Sequence, residues 1–263
     1  MRAITLLYHD VVEPGHSADS GFRSADADIY KLLAANFEQH LDAIAASGNT
    51  PRLTITEFLK QPENAATVPV FLSFDDGGAS ATATADILDR RGWKGHFFIT
   101  TDFINSPGFV TKRAIQEMHA RGHVIGSHSC SHPNRISHLA DAELMREWTQ
   151  SVQILQQILG EKVETASVPG GFYSMRVAEF ASRAGIRTLF TSEPVMRLEQ
   201  IGDCTICGRF GLQQDSPPEL ARKFAARDRQ TLLRQAAFWN TKKLMKRAGG
   251  EQWLAFRKWW LAR

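Results

Sequence analysis

A chain of 263 residues with 43% hydrophobic and 22% charged content has the makeup of an ordinary globular protein and can bury an ample core, as one large domain or a domain with an appendage. Three cysteines exclude a disulfide-stapled fold and fit a reducing compartment, and no run of 18 apolar residues is present to span a membrane. The net charge of +3 hides an asymmetry: from Glu219 to Arg263 there are twelve Lys or Arg against three Asp or Glu, a local net of +9 that offsets −6 over the preceding residues.

In chain order, Met1-Arg2-Ala3-Ile4-Thr5-Leu6-Leu7-Tyr8 is too short an apolar run for a signal peptide and reads as a first strand, which sets a cytoplasmic expectation. It leads into His9-Asp10, and Glu13 to Asp28, rich in Gly, Ser and Asp, reads as a long loop. Asn36-Phe37-Glu38-Gln39 has the spacing of a capping box, and Phe37, Leu41 and Ile44 share one helical face up to Gly48. Val70 to Phe74 is a strand, Ala81 to Arg91 a helix stopped by Gly92, and His96 to Ile99 the next strand. Thr111 caps a helix that ends before Gly122, and Val124-Ile125 is a further strand. Asp141 to Leu159 is a long amphipathic helix, followed by a strand at Ala166 to Val168, a helix from Ser174 to Ala184, and strands at Thr188 to Phe190 and Thr205-Ile206. Strand and helix alternate, which argues for a parallel sheet with helices outside. Such sheets build sites at the carboxyl ends of their strands, whether open or closed into a barrel.

Chemistry concentrates at two of those ends. Val70-Phe71-Leu72-Ser73-Phe74 delivers Asp75-Asp76 to Gly77. Two adjacent aspartates inside a strand would bury one charge on each face, so they belong past its end, where a cation can take up the charge. Some fifty residues on, His128 and His132 stand four apart, again directly after an apolar run. With one aspartate they make a two-His, one-carboxylate set that leaves a coordination position open for water.

Ser73-Phe74-Asp75-Asp76-Gly77 and His128-Ser129-Cys130-Ser131-His132 resemble the first two motifs of the polysaccharide deacetylases, carbohydrate esterase family four, over roughly residues 1 to 211. The resemblance implies a distorted (β/α) barrel of about seven units. It implies Asp75 as general base and Asp76, His128 and His132 as ligands of a divalent metal, zinc being favoured by the donor types. The reaction it implies is hydrolysis of the N-acetyl group of an amino-sugar-containing glycan or glycan precursor. Val168-Pro169-Gly170-Gly171 resembles the third motif, with Pro169, Gly170 and Gly171 set to line the substrate groove or to turn the chain before the helix at Ser174. Ser167 stands where that motif carries an arginine, so the base needs another cation or another support. The late histidine that serves as general acid in the family also has no counterpart, since none follows His138. His9, on the same sheet edge, is the first replacement and His138 the next, while Arg209 could steady developing negative charge on a substrate.

Cys204-x-x-Cys207 lacks a second pair and is not read as a metal or redox site, and Cys130 reads as a small filler between the histidines. Residues 1–214 are thus expected as the catalytic barrel and 215–263 as a basic, aromatic-rich helical extension. In the extension, Trp253, Phe256 and Trp260 are spaced for one face, interleaved with cations. Helices packed on the barrel with a solvated basic face are one reading, and contact with an anionic membrane surface or a protein is another. Nucleic acid is not expected. In the cytoplasm a sugar intermediate, lipid-linked at the inner membrane face, suits such a chain better than a finished wall polymer. The rival readings are the same metal chemistry on a non-sugar amide, or a catalytically silent glycan-binding protein.

Overall fold

The computed structural model describes residues 1–61 and 68–241. The aromatic and cationic face expected from Trp253, Phe256 and Trp260 lies outside the described residues.

The chain alternates as the sequence pattern indicates. The strands are β1 (Ile4–Tyr8), β2 (Val11–Val12), β3 (Leu32–Leu33), β4 (Val70–Phe74), β5 (Gly95–Ile99), β6 (Val124–Ser127), β7 (Thr165–Ser167), β8 (Thr188–Phe190), β9 (Glu199–Ile201), β10 (Cys204–Cys207) and β11 (Phe210–Gly211). Between and after them lie α1 (Ala25–Asp28), α2 (Ala34–Ala46), α3 (Ile55–Leu59), α4 (Ala81–Asp89), α5 (Lys112–Ala120), α6 (Asp141–Leu159), α7 (Met175–Arg183) and α8 (Pro218–Ala225), with a further helical stretch over 229–241.

The sheet order is β11-β1-β4-β5-β6-β7-β8-β10-β9, parallel throughout except for the antiparallel pair β9–β10. β1, β4 and β5 are buried at every position, as strands covered on both faces must be. The two ends of the row approach each other where the chain between β8 and β9 meets the start of β1. Ala3 N donates to Met196 O at 2.9 Å, Leu198 N donates to Met1 O at 3.2 Å, and Arg2 and Arg197 form an isolated antiparallel bridge. The sheet is therefore curled into a distorted barrel. Its interior is packed by Ala3, Phe71, Phe98, Phe190 and Cys207, and α3 plugs it with Ile55 and Phe58. The larger cluster lies between sheet and helices, from Leu6, Leu72 and Phe97 to Leu144, Trp148 and Leu155.

Three local features depart from the sequence reading. α2 starts at Ala34, with extended Leu33 as its N-cap and no side-chain cap. Pairing of Leu32 and Leu33 with β2 keeps the chain extended up to that point, and Asn36 falls inside the helix, where no cap is needed. The loop from Glu13 to Asp28 contains the single turn α1, whose Ser24 hydroxyl accepts from Ala27 N. α3 itself was not anticipated, although Thr54 and Glu57 form a full capping box: Thr54 Oγ1 accepts from Glu57 N, and Glu57 Oε2 accepts from Thr54 N.

At the other end of the chain, α8 packs Phe224 against Phe210 with ring centroids 5.1 Å apart, and Ala221, Phe224 and Ala225 are fully buried in the main core. The stretch that composition marks off at residue 215 thus begins inside the barrel's own packing. Leu232, on the helix over 229–241, also leans on that core.

Candidate active site

Three strand ends on one edge of the sheet build the site. β4 ends at Phe74 and presents Asp75 and Asp76, β6 ends at Ser127 and presents His128, and β7 ends at Ser167. In-register parallel pairing of β4, β5, β6 and β7 sets these ends side by side. Asp76, His128 and His132 each bring one donor atom to a common point, all within 4.8 Å of one another. His128 Nε2 lies 3.4 Å and His132 Nε2 3.5 Å from Asp76 Oδ1. His128 Nδ1 lies 3.0 Å from the Ser167 carbonyl. A carbonyl only accepts, so Nδ1 carries the hydrogen and Nε2 keeps its lone pair for the centre. The donor set, one carboxylate and two imidazole nitrogens on converging paths, fits a divalent metal.

The backbone is bent to reach this arrangement. Asp76 has φ 77°, Ser129 φ 64° and His132 φ 55°, all left-handed without being glycine. Such residues cost on the order of 1–3 kcal/mol each and persist where the surroundings enforce them. Gly77 follows with φ 78°, and a side chain there would press on Ile99. Beside the centre, Phe22 tilts against the His132 ring at 4.8 Å and meets Phe103 and Phe109, each at 5.1 Å, forming an aromatic wall.

Asp75 sits next to the ligands and is 5% exposed. Arg209, fully buried, clamps it: Nη1 donates to Oδ1 at 2.6 Å and Nη2 to Oδ2 at 2.8 Å. Ser167 Oγ lies 3.1 Å from Asp75 Oδ2 and accepts from Arg209 Nη2 at 2.7 Å. The guanidinium is oriented in turn by Nε–H donation to Thr191 O at 2.9 Å and by the Phe98 ring below it. Burial pushes the Asp75 carboxyl up, but Arg209 and His128 outweigh it and hold the group below the usual carboxylate range. Asp76 likewise feels burial first and is held low by His128, His9 and His132. For His128, burial works downward and the two aspartates reverse it; for His132 burial prevails and lowers the value. Asp75 is therefore ionised at neutral pH and placed to accept a proton beside the centre.

Arg209 occupies a different place from the one expected of it. As a substrate contact it would have to face solvent, whereas its side chain is wholly buried and spent on Asp75, Ser167 and Thr191. The cation that Ser167 lacks at its own position is supplied from the turn after β10.

His9 follows β1 on the same edge. Its ring lies 4.5 Å from that of Tyr30, and it is near enough to Asp75 and Asp76 to act on both electrostatically. His9 Nδ1 is buried and has no hydrogen-bond partner among the described residues. His138 is exposed, on the short turn Ile136–His138 after the ligand loop. Pro169, Gly170 and Gly171 form a tight turn in which both glycines are left-handed, at φ 63° and 69°. A Cβ at Gly171 would contact Ser192 and Trp239, so the helix over 229–241 reaches this turn. Cys204, Cys207 and Cys130 are buried free thiols, pushed up to about 12, 11 and 11 by burial. That makes them packing residues rather than ligands.

Residues 63–189 match the family described as polysaccharide deacetylase. The putative polysaccharide deacetylase YheN of Bacillus subtilis (strain 168) is 29% identical over 131 residues, 49% of this chain and 45% of that protein. The peptidoglycan-N-acetylmuramic acid deacetylase PdaA of the same organism is 29% identical over 126 residues, covering 47% of this chain and 46% of its own length. The chain thus spans about half the length of the curated relatives it matches. Two solved structures share the fold. The Streptococcus pyogenes deacetylase PplD in complex with acetate has TM-score 0.68 and 19% identity, over 83% of this chain and 96% of that one. IcaB from Ammonifex degensii has TM-score 0.69 and 22% identity, over 86% and 97%. Asp75, Asp76, His128 and His132 fall inside the family match, whereas His9 and Arg209 fall outside it.

Proposed function

From the premise that this chain belongs, through residues 63–189, to the polysaccharide deacetylase family, we propose that it is a metal-dependent hydrolase removing N-acetyl groups from an amino-sugar-containing glycan or glycan precursor. The observation that carries this reading is the convergence of Asp76, His128 and His132 beside an ionised Asp75 clamped by Arg209. Asp76, His128 and His132 would hold a divalent ion, zinc by the donor types, which when bound would lower the pKa of water and polarise an amide carbonyl. The chain's own residues do the rest. Asp75 Oδ takes the proton of the attacking water, and Arg209 and Ser167 keep the carboxylate charged and fixed in orientation. His9 is the group proposed to return a proton to the leaving amine, on the strength of its place at the end of β1 and its reach to both aspartates. The turn at Pro169, Gly170 and Gly171 borders the groove.

The catalytically silent alternative drew on two departures, the missing arginine at Ser167 and the missing late histidine. Arg209 removes the first. Free cysteines support a reducing, cytoplasmic setting for the reaction. The deciding experiment is acetate release by metal-replete protein from a panel of N-acetylglucosamine-containing substrates and simple amides, beside Asp76→Ala and His128→Ala variants. Acetate from the sugars with the intact ligand set alone is the expected result. A protein that holds stoichiometric metal and yet releases no acetate from any of them overturns the proposal.

A further inference from the structure

The loop that carries both histidine ligands is held from outside the site by one helix. α6 places Glu147 and Ser151 one turn apart on its inner face, both buried. Glu147, 2% exposed, accepts three hydrogen bonds from the residues between the histidines: Cys130 N and Ser131 N at 2.9 Å each on Oε2, and Ser131 Oγ at 2.7 Å on Oε1. Ser151 Oγ meets Ser127 Oγ at 2.7 Å, and Ser127 Oγ accepts from Ser129 N at 3.1 Å. The carbonyls of the same loop are taken from the opposite side, Ser129 O by Thr101 N at 3.2 Å and Cys130 O by Asp102 N at 3.0 Å.

This fastening falls on the strained part of the loop. Ser129 and His132, which bracket Cys130 and Ser131, are both left-handed. A chain free to relax would leave that conformation and swing the His132 imidazole away from Asp76. Among the described residues the nearest cation to Glu147 is Arg146 Nη2 at 3.8 Å, on an exposed side chain. The buried carboxylate is therefore satisfied chiefly by the loop's own donors, and the loop by the carboxylate. A charged residue on the apolar face of a helix is expensive unless it has such an assignment.

We propose that Glu147 is a positioning residue for the metal: it fixes the 129–132 loop in the strained conformation that aims His132 Nε2 at the centre, with Ser151 steadying the entry of the loop through Ser127. The proposal rests on the metal site described under the proposed function. The test titrates metal-free protein with Zn²⁺ against a chromogenic chelator, and records the visible absorption of the Co²⁺-loaded protein, for the wild type, Glu147→Gln and Ser131→Ala. Glu147→Gln can keep its carbonyl oxygen on the two backbone donors and turn its NH₂ to Ser131 Oγ, so it exchanges a charged acceptor for a neutral one and is expected to weaken zinc binding by about 10-fold, the low end of the effect of disturbing a partner that orients a ligand. Its Co²⁺ bands should shift as the ligand geometry loosens. Ser131→Ala removes one bond and should weaken binding severalfold, with the metal-free urea midpoint unchanged; it decides the matter if Glu147→Gln does not fold. Folded variants that bind Zn²⁺ as the wild type does, with unshifted Co²⁺ spectra, overturn the proposal and leave Glu147 a structural residue. A wild type that binds no Zn²⁺ overturns both this proposal and the metal site beneath it.

Discussion

Arg209 stands 134 residues from Asp75 in the chain and meets it through two hydrogen bonds, of 2.6 and 2.8 Å, with no solvent on the guanidinium. The pair is a fork on a carboxylate, the geometry in which arginine cannot be exchanged for lysine without loss. It arrives from the turn between β10 and β11, into the space beside Ser167 at the end of β7.

Removing one member of a buried ion pair leaves the other charged and unpaired, which costs about 3–5 kcal/mol. Arg209→Met is therefore expected to lower the unfolding free energy read from urea titration by that much at neutral pH and to abolish measurable acetate release. Ser167→Arg added to Arg209→Met puts a cation back on the other side of the same carboxylate. It should recover part of both losses, read by urea titration and by initial rates. A double variant no better than the single one would mean that Asp75 needs its cation from the β10 side alone.

On the proposed reading Asp76 holds the metal and Asp75 takes the proton, and substitutions should separate the two roles. Asp76→Ala and His128→Ala remove donors and should leave the protein without stoichiometric zinc and without turnover. Asp75→Asn keeps the three donors and should keep the metal, while acetate release falls about 10²–10⁴-fold, the range for loss of a general base. Metal analysis of purified protein beside acetate assays distinguishes the cases. Treatment of the wild type with a chelator should reproduce the Asp76→Ala rate, and added zinc should restore it.

Close backbone approach makes Gly78 a third sensitive position. A Cβ there would overlap Asp10 Oδ1, and that carboxylate has no room to retreat, since it accepts from Ser20 Oγ at 2.5 Å and Ser80 Oγ at 2.8 Å. The Asp10 network ties the loop after β1 to the start of α4. Gly78→Ala should cost about 1–3 kcal/mol through overpacking and forced shifts, measured by urea unfolding. Gly211→Ala, at a position with open space around it and no left-handed φ, shows how much comes from replacing a glycine alone.

What was legible in the sequence was what lies within a few residues of itself. Asp75-Asp76 and the His128 to His132 loop each sit directly after an apolar run, so strand direction alone brought them to one edge, and α6, β8 and the capped start of α5 fall where periodicity put them. Arg209 was visible as a charge near a strand end but not as the partner of Asp75, because that pairing depends on how far the sheet curls. Glu147 had a signal that went unread: it lies at the register of Leu144, Trp148, Val152 and Leu155, where a carboxylate needs a buried partner. Thr54 and Glu57 likewise announced α3 by their spacing. Of the remaining departures, the position of the α2 start was set by a two-residue strand, and α1 is a single turn, both too short to carry a pattern.

His96 makes the fold sensitive to acid independently of the site. Its imidazole is fully buried on β5: Nε2 accepts from Ile55 N at 2.9 Å, which fixes Nδ1–H toward Leu72 O, also at 2.9 Å. Both ring nitrogens are thus committed to the neutral form, and burial lowers the group from 6.5 to about 4. The unfolded chain takes up this proton near pH 6.5 and the folded one only near 4, so between those values the unfolded state binds more protons. Stability is then complete above about pH 6.5 and is lost progressively as the pH falls to about 4, by roughly 3 kcal/mol from this group. Urea midpoints measured from pH 7 to pH 4.5 should fall accordingly. His96→Gln should start lower at pH 7, through its imperfect fit to the two partners, and decline less steeply than the wild type over the same range. Parallel slopes for the two proteins would place the acid sensitivity in other groups, with the buried His123, also held near 4, the next to substitute.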